Sequence, residues 1–301
     1  MSSSYEISTE FGSVLPRLDR SLMVVMLSGW IDASAAAAAA MEIIIADTNA
    51  KVLLTFDADE FIDFRARRPT MELRDGINTK LTWSAPQLLL GYDIDRKPVL
   101  LLTGPEPDNR WQHFTDVVGG LAVELGVWRM LGIGAYPIAT PHTRAVQVSC
   151  SSPSADLIAS LPYLKSSVDV PAGMEAALEH ALAKRHIEAL GLWAQVPHYV
   201  ASMAYPAASA ALLGAVCDSG EITLAMSDIR QQATLQRERL DQLVRANPEH
   251  AAMLLQLERE FDESHSGNGT LTTGFGGAPL PSGDELAAEL EQFLRENQAD
   301  S

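Results

Sequence analysis

The stretch that decides the fold reads Leu22-Met-Val-Val-Met-Leu27, followed by Ser28-Gly29-Trp30-Ile31-Asp32 and an alanine-rich run over 33–40. The apolar hexamer predicts a strand that is covered on both faces. Asp32 is placed to cap a helix, and alanine has the highest helix propensity and allows close packing on a sheet. These residues therefore predict one strand–turn–helix unit of an α/β fold.

The same alternation of strand and helix continues outward from this unit. Helical spacing is clear between several of the apolar runs, for example at Phe114, Val118 and Leu121. Strands that alternate with helices predict a largely parallel sheet with helices on both faces, in one core domain over 1–225. The further strands are predicted at Lys51–Phe56, Val99–Thr103, Leu131–Ala135, Val146–Cys150 (an edge strand) and Gly191–Val196.

Four segments stand apart from this core. The long polar segment 57–86 is predicted to be a functional loop or excursion. Residues 226–263 read as two charged amphipathic helices, with Asn247-Pro248 between them. A linker rich in Gly, Ser, Thr and Pro follows over 264–283, and a last amphipathic helix over 284–301. The sequence leaves open whether that helix docks on its own chain or on a neighbouring subunit.

Composition excludes several classes of function. The chain has 301 residues and a formal net charge of −17, which repels nucleic acid and anionic lipid, so we expect neither as a partner. Its two cysteines form no disulfide framework or CxxC pair. No signal peptide is evident at the N-terminus, and the predicted location is the cytoplasm.

The common catalytic motifs are absent from the sequence. There is no P-loop, no H-E-x-x-H and no G-x-S-x-G, and no His, Cys, Asp and Glu cluster has metal-ligand spacing. Gly132-Ile-Gly134 begins like a dinucleotide loop, but Pro137 stands where the third glycine belongs. We therefore predict no cofactor and no metal.

Polar residues follow the predicted strands at the ends where α/β sheets form their sites. His142 is a candidate acid or base, Asp108 a candidate to orient a histidine, and His198 a further catalytic candidate. The alternative is that these residues are ordinary loop residues and helix caps, and that the arginine cluster at 65–68 pairs with the chain's own carboxylates or with a neighbouring subunit. The candidate ligand-binding residues are Trp30, Asp32, Arg65, Arg68, Glu106 and Arg144.

Five segments in this order resemble one family: the proteasome assembly chaperone family of the second-subunit type, in its actinobacterial branch. The resemblance implies a three-layer α/β sandwich with a largely parallel mixed sheet, similar to the phosphorylase/hydrolase fold. It also implies homo-oligomers, of which a trimer is one form, and proteasome core subunits as partners. It supplies no catalytic residues. The segments are Gly29–Ala33, Asp57–Glu60 with Phe64–Pro69, Gly104–Asp108, Pro141–Arg144 and Trp193–Tyr199.

Two functions follow from these observations. The first is a protein-binding or assembly factor without turnover, which the family resemblance and the absent catalytic motifs favour. The second is an enzyme-like site of hydrolase or phosphorylase type that binds an anion or nucleoside at the strand carboxyl ends. The sequence favours the first and does not decide whether any reaction is catalysed.

Overall fold

A computed structural model describes residues 4–266, with side chains up to residue 264. Eight of the described strands form one sheet in the order β1-β3-β6-β7-β2-β8-β10-β9, and β4 and β5 form a separate hairpin. The strands are β1 (Tyr5–Ile7), β2 (Ser21–Ser28), β3 (Lys51–Phe56), β4 (Thr70–Arg74), β5 (Ile77–Thr82), β6 (Gln87–Tyr92), β7 (Pro98–Pro105), β8 (Val127–Ile138), β9 (Val148–Ser151) and β10 (Glu188–Pro197).

The centre of the sheet is parallel and its flanks are mixed. Strands β7, β2, β8 and β10 run side by side in one direction, whereas β6 and β9 run against their neighbours. Seven of the eight residues of β2 are buried, as its apolar run predicts. The predicted largely parallel sheet is confirmed, and β9 is the predicted edge strand.

Helices cover both faces of the sheet, so the predicted three-layer sandwich is confirmed. Helices α1 and α6 pack with Val24 and Leu131 on one face, and α3 and α5 pack with Met23 and Met130 on the other. The described helices are α1 (Ala36–Asp47), α2 (Ala58–Phe61), α3 (Trp111–Glu124), α4 (Ala155–Ser160), α5 (Met174–Ala183), α6 (Pro206–Gly220), α7 (Ser227–Arg245) and α8 (Pro248–Ser266).

The alanine-rich run packs helix α1 closely against α6. Ala36, Ala37 and Ala40 are all at most 1% exposed. The Ser209 hydroxyl of α6 donates a hydrogen bond to the Ala36 carbonyl at 2.9 Å. Such an approach requires small side chains, because a longer one would hold the two helix backbones apart.

Segment 57–86 leaves the sheet as predicted. It contains α2 and then the β4–β5 hairpin, and the Phe64 and Trp83 rings meet edge to face at its base, 4.5 Å apart. One prediction was incomplete here: β6 follows the hairpin and inserts between β3 and β7, although no strand was predicted there. Its apolar residues Leu88, Leu89 and Leu90 are buried and could have indicated it.

The two charged amphipathic helices correspond to α7 and α8. Asn247 links them, and its side chain accepts a hydrogen bond from the Glu249 amide at 2.9 Å. Helix α7 packs against α6. The predicted linker 264–283 lies outside the described residues except for its first three, which end α8, and the predicted helix 284–301 lies wholly outside them.

Candidate functional site

A cleft opens where β2 and β8 separate. The two strands pair as far as Val25 and Gly132. Beyond that point β2 leads towards α1 and β3, while β8 continues beside β10. An isolated bridge pairs Asp32 with Ala135 across the opening. Neighbouring parallel strands whose connections leave in opposite directions form the crevice in which α/β proteins place ligands.

Asp32 stands at this cleft and caps α1. Its carboxylate accepts hydrogen bonds from the Ala37 amide at 2.8 Å and the Ala38 amide at 3.0 Å. Burial raises the pKa of Asp32, and these backbone bonds oppose the rise.

The residues after Asp32 are strained. Ser34 and Ala35 both have positive φ, at 63° and 50°. A left-handed backbone costs a non-glycine residue about 1–2 kcal/mol. The Ser34 hydroxyl is held by the Val200 carbonyl at 3.0 Å, which helps to fix this conformation. Strain of this kind concentrates at functional sites, although it does not identify a function.

Glu106 joins the same cleft from the end of β7. Its amide donates to the Ser28 carbonyl at 2.8 Å, and its carboxylate accepts a hydrogen bond from the Met174 amide at the start of α5. The indole of Trp30 lies over Gly173, where a Cβ would stand only 3.0 Å from the ring. The structure therefore brings together three of the predicted ligand-binding residues, Trp30, Asp32 and Glu106.

Two carboxyl groups, one lining the cleft and one beside it, were not predicted. Glu175 and Glu179 lie one turn apart on α5 and face the sheet over glycines of β8 and β10. A Cβ on Gly132 would stand 3.0 Å from the Glu175 Oε2, and one on Gly191 would stand 2.6 Å from the Glu179 Oε1. A Cβ on Gly134 would stand 2.2 Å from the Trp193 ring. Gly132 and Gly134, whose pattern resembled a dinucleotide loop, thus leave room on the sheet for the Glu175 and Trp193 side chains.

Both buried glutamates have raised pKa values. Burial raises the pKa of Glu179 to about 7, and the Ser151 hydroxyl, which donates to its Oε1 at 3.0 Å, opposes the rise. Burial raises the pKa of Glu175 well above its usual value, and the neighbouring carboxylates Glu179, Glu106 and Asp32 add to the effect. This side of the cleft therefore disfavours further negative charge.

His142 lies beneath helix α7. Its buried ring contacts the Tyr199 hydroxyl at 2.7 Å through Nδ1 and the Asp241 Oδ1 on α7 at 3.2 Å through Nε2. Burial lowers the pKa of His142, and Asp241 opposes the fall. Burial also raises the pKa of Tyr199 to about 12. The contacts of His142 thus join the loop after β8 to α7, and a catalytic role for His142 stays a hypothesis.

Arg144 is engaged by α8. Its guanidinium donates to Asp262 at 2.8 and 2.6 Å and to Glu258 at 3.1 Å. These carboxylates raise the pKa of Arg144 further. Arg144 therefore holds carboxylates of its own chain, which occupy the fork that was proposed for an external anion.

Asp108, Arg65 and Arg68 lie apart from the His142 contacts, whereas His198 adjoins them through Tyr199. Asp108 accepts hydrogen bonds from Arg67 at 3.2 Å and from the Asp63 amide at 3.0 Å, and no histidine contacts it in the part of the chain that the structure describes. His198 contacts the edge of the Tyr199 ring, with centroids 5.4 Å apart. The side chains of Arg65 and Arg68 are exposed and form no ion pair within residues 4–264.

Two searches of the described residues were negative. No group of three or more His, Cys, Asp or Glu within them is arranged to hold a metal ion. None of the helices among them has the length and apolar character needed to span a membrane.

Comparisons with known proteins identify the family. Residues 26–244 match the model of the PAC2 family. A protein of unknown function from Corynebacterium glutamicum is 28% identical, with a TM-score of 0.78 over 87% of this chain and 98% of that chain. A PAC2 family protein from Streptomyces avermitilis is 31% identical, with a TM-score of 0.68 over 78% of this chain and 99% of that chain. A proteasome-assembly chaperone homologue from Mycobacterium tuberculosis is 28% identical, with a TM-score of 0.71 over 77% of this chain and 99% of that chain.

The search of curated proteins gave no match. The resemblance noted in the sequence is confirmed by the family model and by these structures. The chain belongs to the PAC2 family.

Proposed function

We propose that the chain is a protein-binding assembly factor for proteasome core subunits, and that it acts in the cytoplasm of an actinobacterium as a homo-oligomer. The observation that carries this proposal is its similarity to the proteasome-assembly chaperone homologue from Mycobacterium tuberculosis, which extends over 77% of this chain. The actinobacterial sources of the compared proteins support the proposed origin.

The enzyme-like alternative gains no support from the cleft. The side chains that line it include the carboxylates of Asp32, Glu106 and Glu175. Arg144, one of the predicted anion ligands, is bound to Asp262 and Glu258 instead. A cleft with this charge repels phosphate and carboxylate groups, so it does not favour an anion-binding hydrolase or phosphorylase site.

The β4–β5 hairpin is the surface that we assign to self-association. Met71, Leu73 and Leu81 are 51%, 52% and 45% exposed. Met71 faces Leu81 across the ribbon, and Leu73 lies two residues along from Met71, so the three share one face. An isolated two-stranded hairpin is marginally stable in water, and its exposed apolar face gains stability when a partner covers it.

Charge favours a second copy of this chain as that partner. Residues 64–83 contain five basic and two acidic side chains, in a chain whose formal net charge is −17. The hairpin region is therefore a positive patch on a strongly negative molecule. Arg65 and Arg68, which form no ion pair among the described residues, are suited to contact acidic surface on another subunit.

Affinity capture tests the assembly role. The tagged full-length chain is used to capture partners from the cytosol of its own source, and mass spectrometry identifies the bound proteins. We expect enrichment of proteasome core subunits over a tag-only control. Capture of the chain without any core subunit would argue against the proposal.

Light scattering tests the self-association surface. The variant Met71→Ser/Leu73→Ser/Leu81→Ser should lower the molar mass in solution from an oligomer to a monomer. The matched control is Thr79→Ser on the same ribbon, which should keep the oligomer. An unchanged molar mass in the triple variant would exclude the hairpin as the interface.

A further inference from the structure

One buried oxygen in the cleft lacks a partner. Part of the Glu175 residue reaches solvent, but its carboxyl end is enclosed, and the Leu27 amide hydrogen-bonds to it. The Oε2 atom is buried and has no hydrogen-bond partner among the described residues. Leaving a buried polar atom unpaired is unfavourable, and more so if it is charged, so such an atom requires an explanation.

The space beside this oxygen is small and partly enclosed. A cavity lies between three elements: the end of β2, strand β8 and the start of α5. The centre of a water-sized sphere can move through about 30 Å³ of it. A water needs roughly 10–15 Å³ by this measure, so the cavity has room for one or two groups of that size. Its lining includes Glu175, Asp32 and Glu106, and no Lys, Arg or His side chain.

The chemistry of the lining selects a cation. The three carboxyl groups supply acceptor oxygens, and Trp30 and Trp193 supply aromatic rings, which attract positive charge. Arg67 lies at the adjacent corner, where it is engaged by Asp108 and the Ser28 carbonyl. A divalent metal does not fit, because no group of ligands among residues 4–264 is arranged to hold one.

We propose that this cavity binds the terminal ammonium group of a primary alkylamine, with Glu175 as its principal partner. An ammonium group is about the size of a water molecule, and one of its N–H groups would pair with the unpartnered Glu175 Oε2, while the nearby carboxyl groups of Asp32 and Glu106 add electrostatic attraction. Its alkyl chain would leave the cavity past Trp30, which is 43% exposed. The amine is either a free small molecule or the side chain of a lysine on a bound protein.

Binding is coupled to a proton. Burial and the neighbouring carboxylates favour the protonated form of Glu175 in the empty cavity. An ammonium ion favours the carboxylate, so Glu175 gives up its proton to solvent as the ammonium enters, and the O–H bond is replaced by an N–H···O hydrogen bond. The proposal goes beyond the assembly role and does not depend on it.

Isothermal titration calorimetry of the full chain with n-butylamine tests the proposal. We expect millimolar or tighter binding at pH 8, no binding of 1-butanol, and a heat that depends on the ionisation enthalpy of the buffer because a proton is released. Glu175→Gln keeps the shape of the side chain and should weaken butylamine binding about tenfold or more. The matched control is the exposed residue Glu249, and Glu249→Gln should bind as the wild type does.

A second ligand distinguishes a free amine from a protein lysine, and a second variant replaces Glu175→Gln if that variant does not fold. A lysine with its α-amino and carboxyl groups blocked should bind more tightly than butylamine if the source is a protein side chain, and more weakly if the source is a free amine. If Glu175→Gln fails to fold, Glu106→Gln replaces it and should also weaken binding. Equal binding by wild type and the folded variant, or no binding of either amine, would overturn the proposal.

Discussion

The substitution Glu179→Gln tests the electrostatics of the cleft. Glu179 is 5% exposed, and its Oε1 accepts a hydrogen bond from Ser151. Glutamine retains the shape of the side chain and an acceptor oxygen for Ser151, but it does not ionise. The variant therefore removes the titration of this one group and leaves the packing of α5 on the sheet in place.

The size of the change in the free energy of unfolding follows from the raised pKa of Glu179. Below pH 4.5 Glu179 is protonated in both the folded and the unfolded chain and contributes no difference. Between pH 4.5 and about 7 the unfolded chain releases the proton while the folded chain keeps it, so the free energy of unfolding falls as pH rises. At about 1.4 kcal/mol per pH unit, the wild type loses roughly 3 kcal/mol through this residue by pH 8.

Urea denaturation at several pH values from 4.5 to 8 measures this effect. We expect the free energy of unfolding of the wild type to fall by roughly 3 kcal/mol relative to Glu179→Gln over that range. The difference also contains the part of the Glu175 shift that comes from Glu179, which acts in the same direction. Glu249→Gln, at an exposed position, should keep the wild-type profile. Parallel profiles for wild type and Glu179→Gln would refute the assignment of a buried, proton-binding Glu179.

Three further substitutions test the packing of the sheet and the contacts that hold α7 and α8. His142→Ala should lower the free energy of unfolding by about 2–4 kcal/mol in urea denaturation, because it leaves a cavity and unpaired polar groups; an unchanged value would refute the buried contacts. Gly134→Ala should destabilise by at least about 1–3 kcal/mol because its Cβ meets the Trp193 ring, whereas Gly120→Ala, with open space around its Cβ, should be neutral or stabilising; equal effects would contradict this. Arg144→Gln should speed proteolysis within α8, and high salt should reduce the difference from wild type; equal cleavage rates in low salt would show that α8 is held by other contacts.

The fold was predictable where local signals agree with the final structure. The apolar run 22–27, the Asp32 cap and the alanine-rich helix α1 were each predicted from residues that are neighbours in sequence. Strand β6 was missed because it follows a long excursion and pairs antiparallel with both of its neighbours, β3 and β7. The order of strands in a sheet depends on long-range pairing, which no local pattern contains.

The site was predictable only in part. Trp30, Asp32 and Glu106 come together because they follow neighbouring parallel strands, which is a rule of the fold. Glu175 and Glu179 were missed because acidic residues on an amphipathic helix normally face solvent. The signal that could have indicated them is the glycines of β8 and β10, which leave room on one face of the sheet.

The partners of His142 and Arg144 could not be predicted from the sequence. Both were chosen as candidates because they follow a strand, and both contact carboxylates that lie about 100 or more residues away in sequence. A single sequence does not show that α7 and α8 fold back over this loop. Carboxylates on α7 and α8 are the partners of these two residues.

Native mass spectrometry of the purified full-length chain mixed with separately purified, unassembled proteasome α- and β-subunits tests the assembly role most directly. The account predicts complexes that contain the chain and at least one type of core subunit, and their disappearance once the mature core particle has formed. Spectra that contain only the chain's own oligomers and free subunits, under conditions in which the subunits assemble unaided, would contradict it.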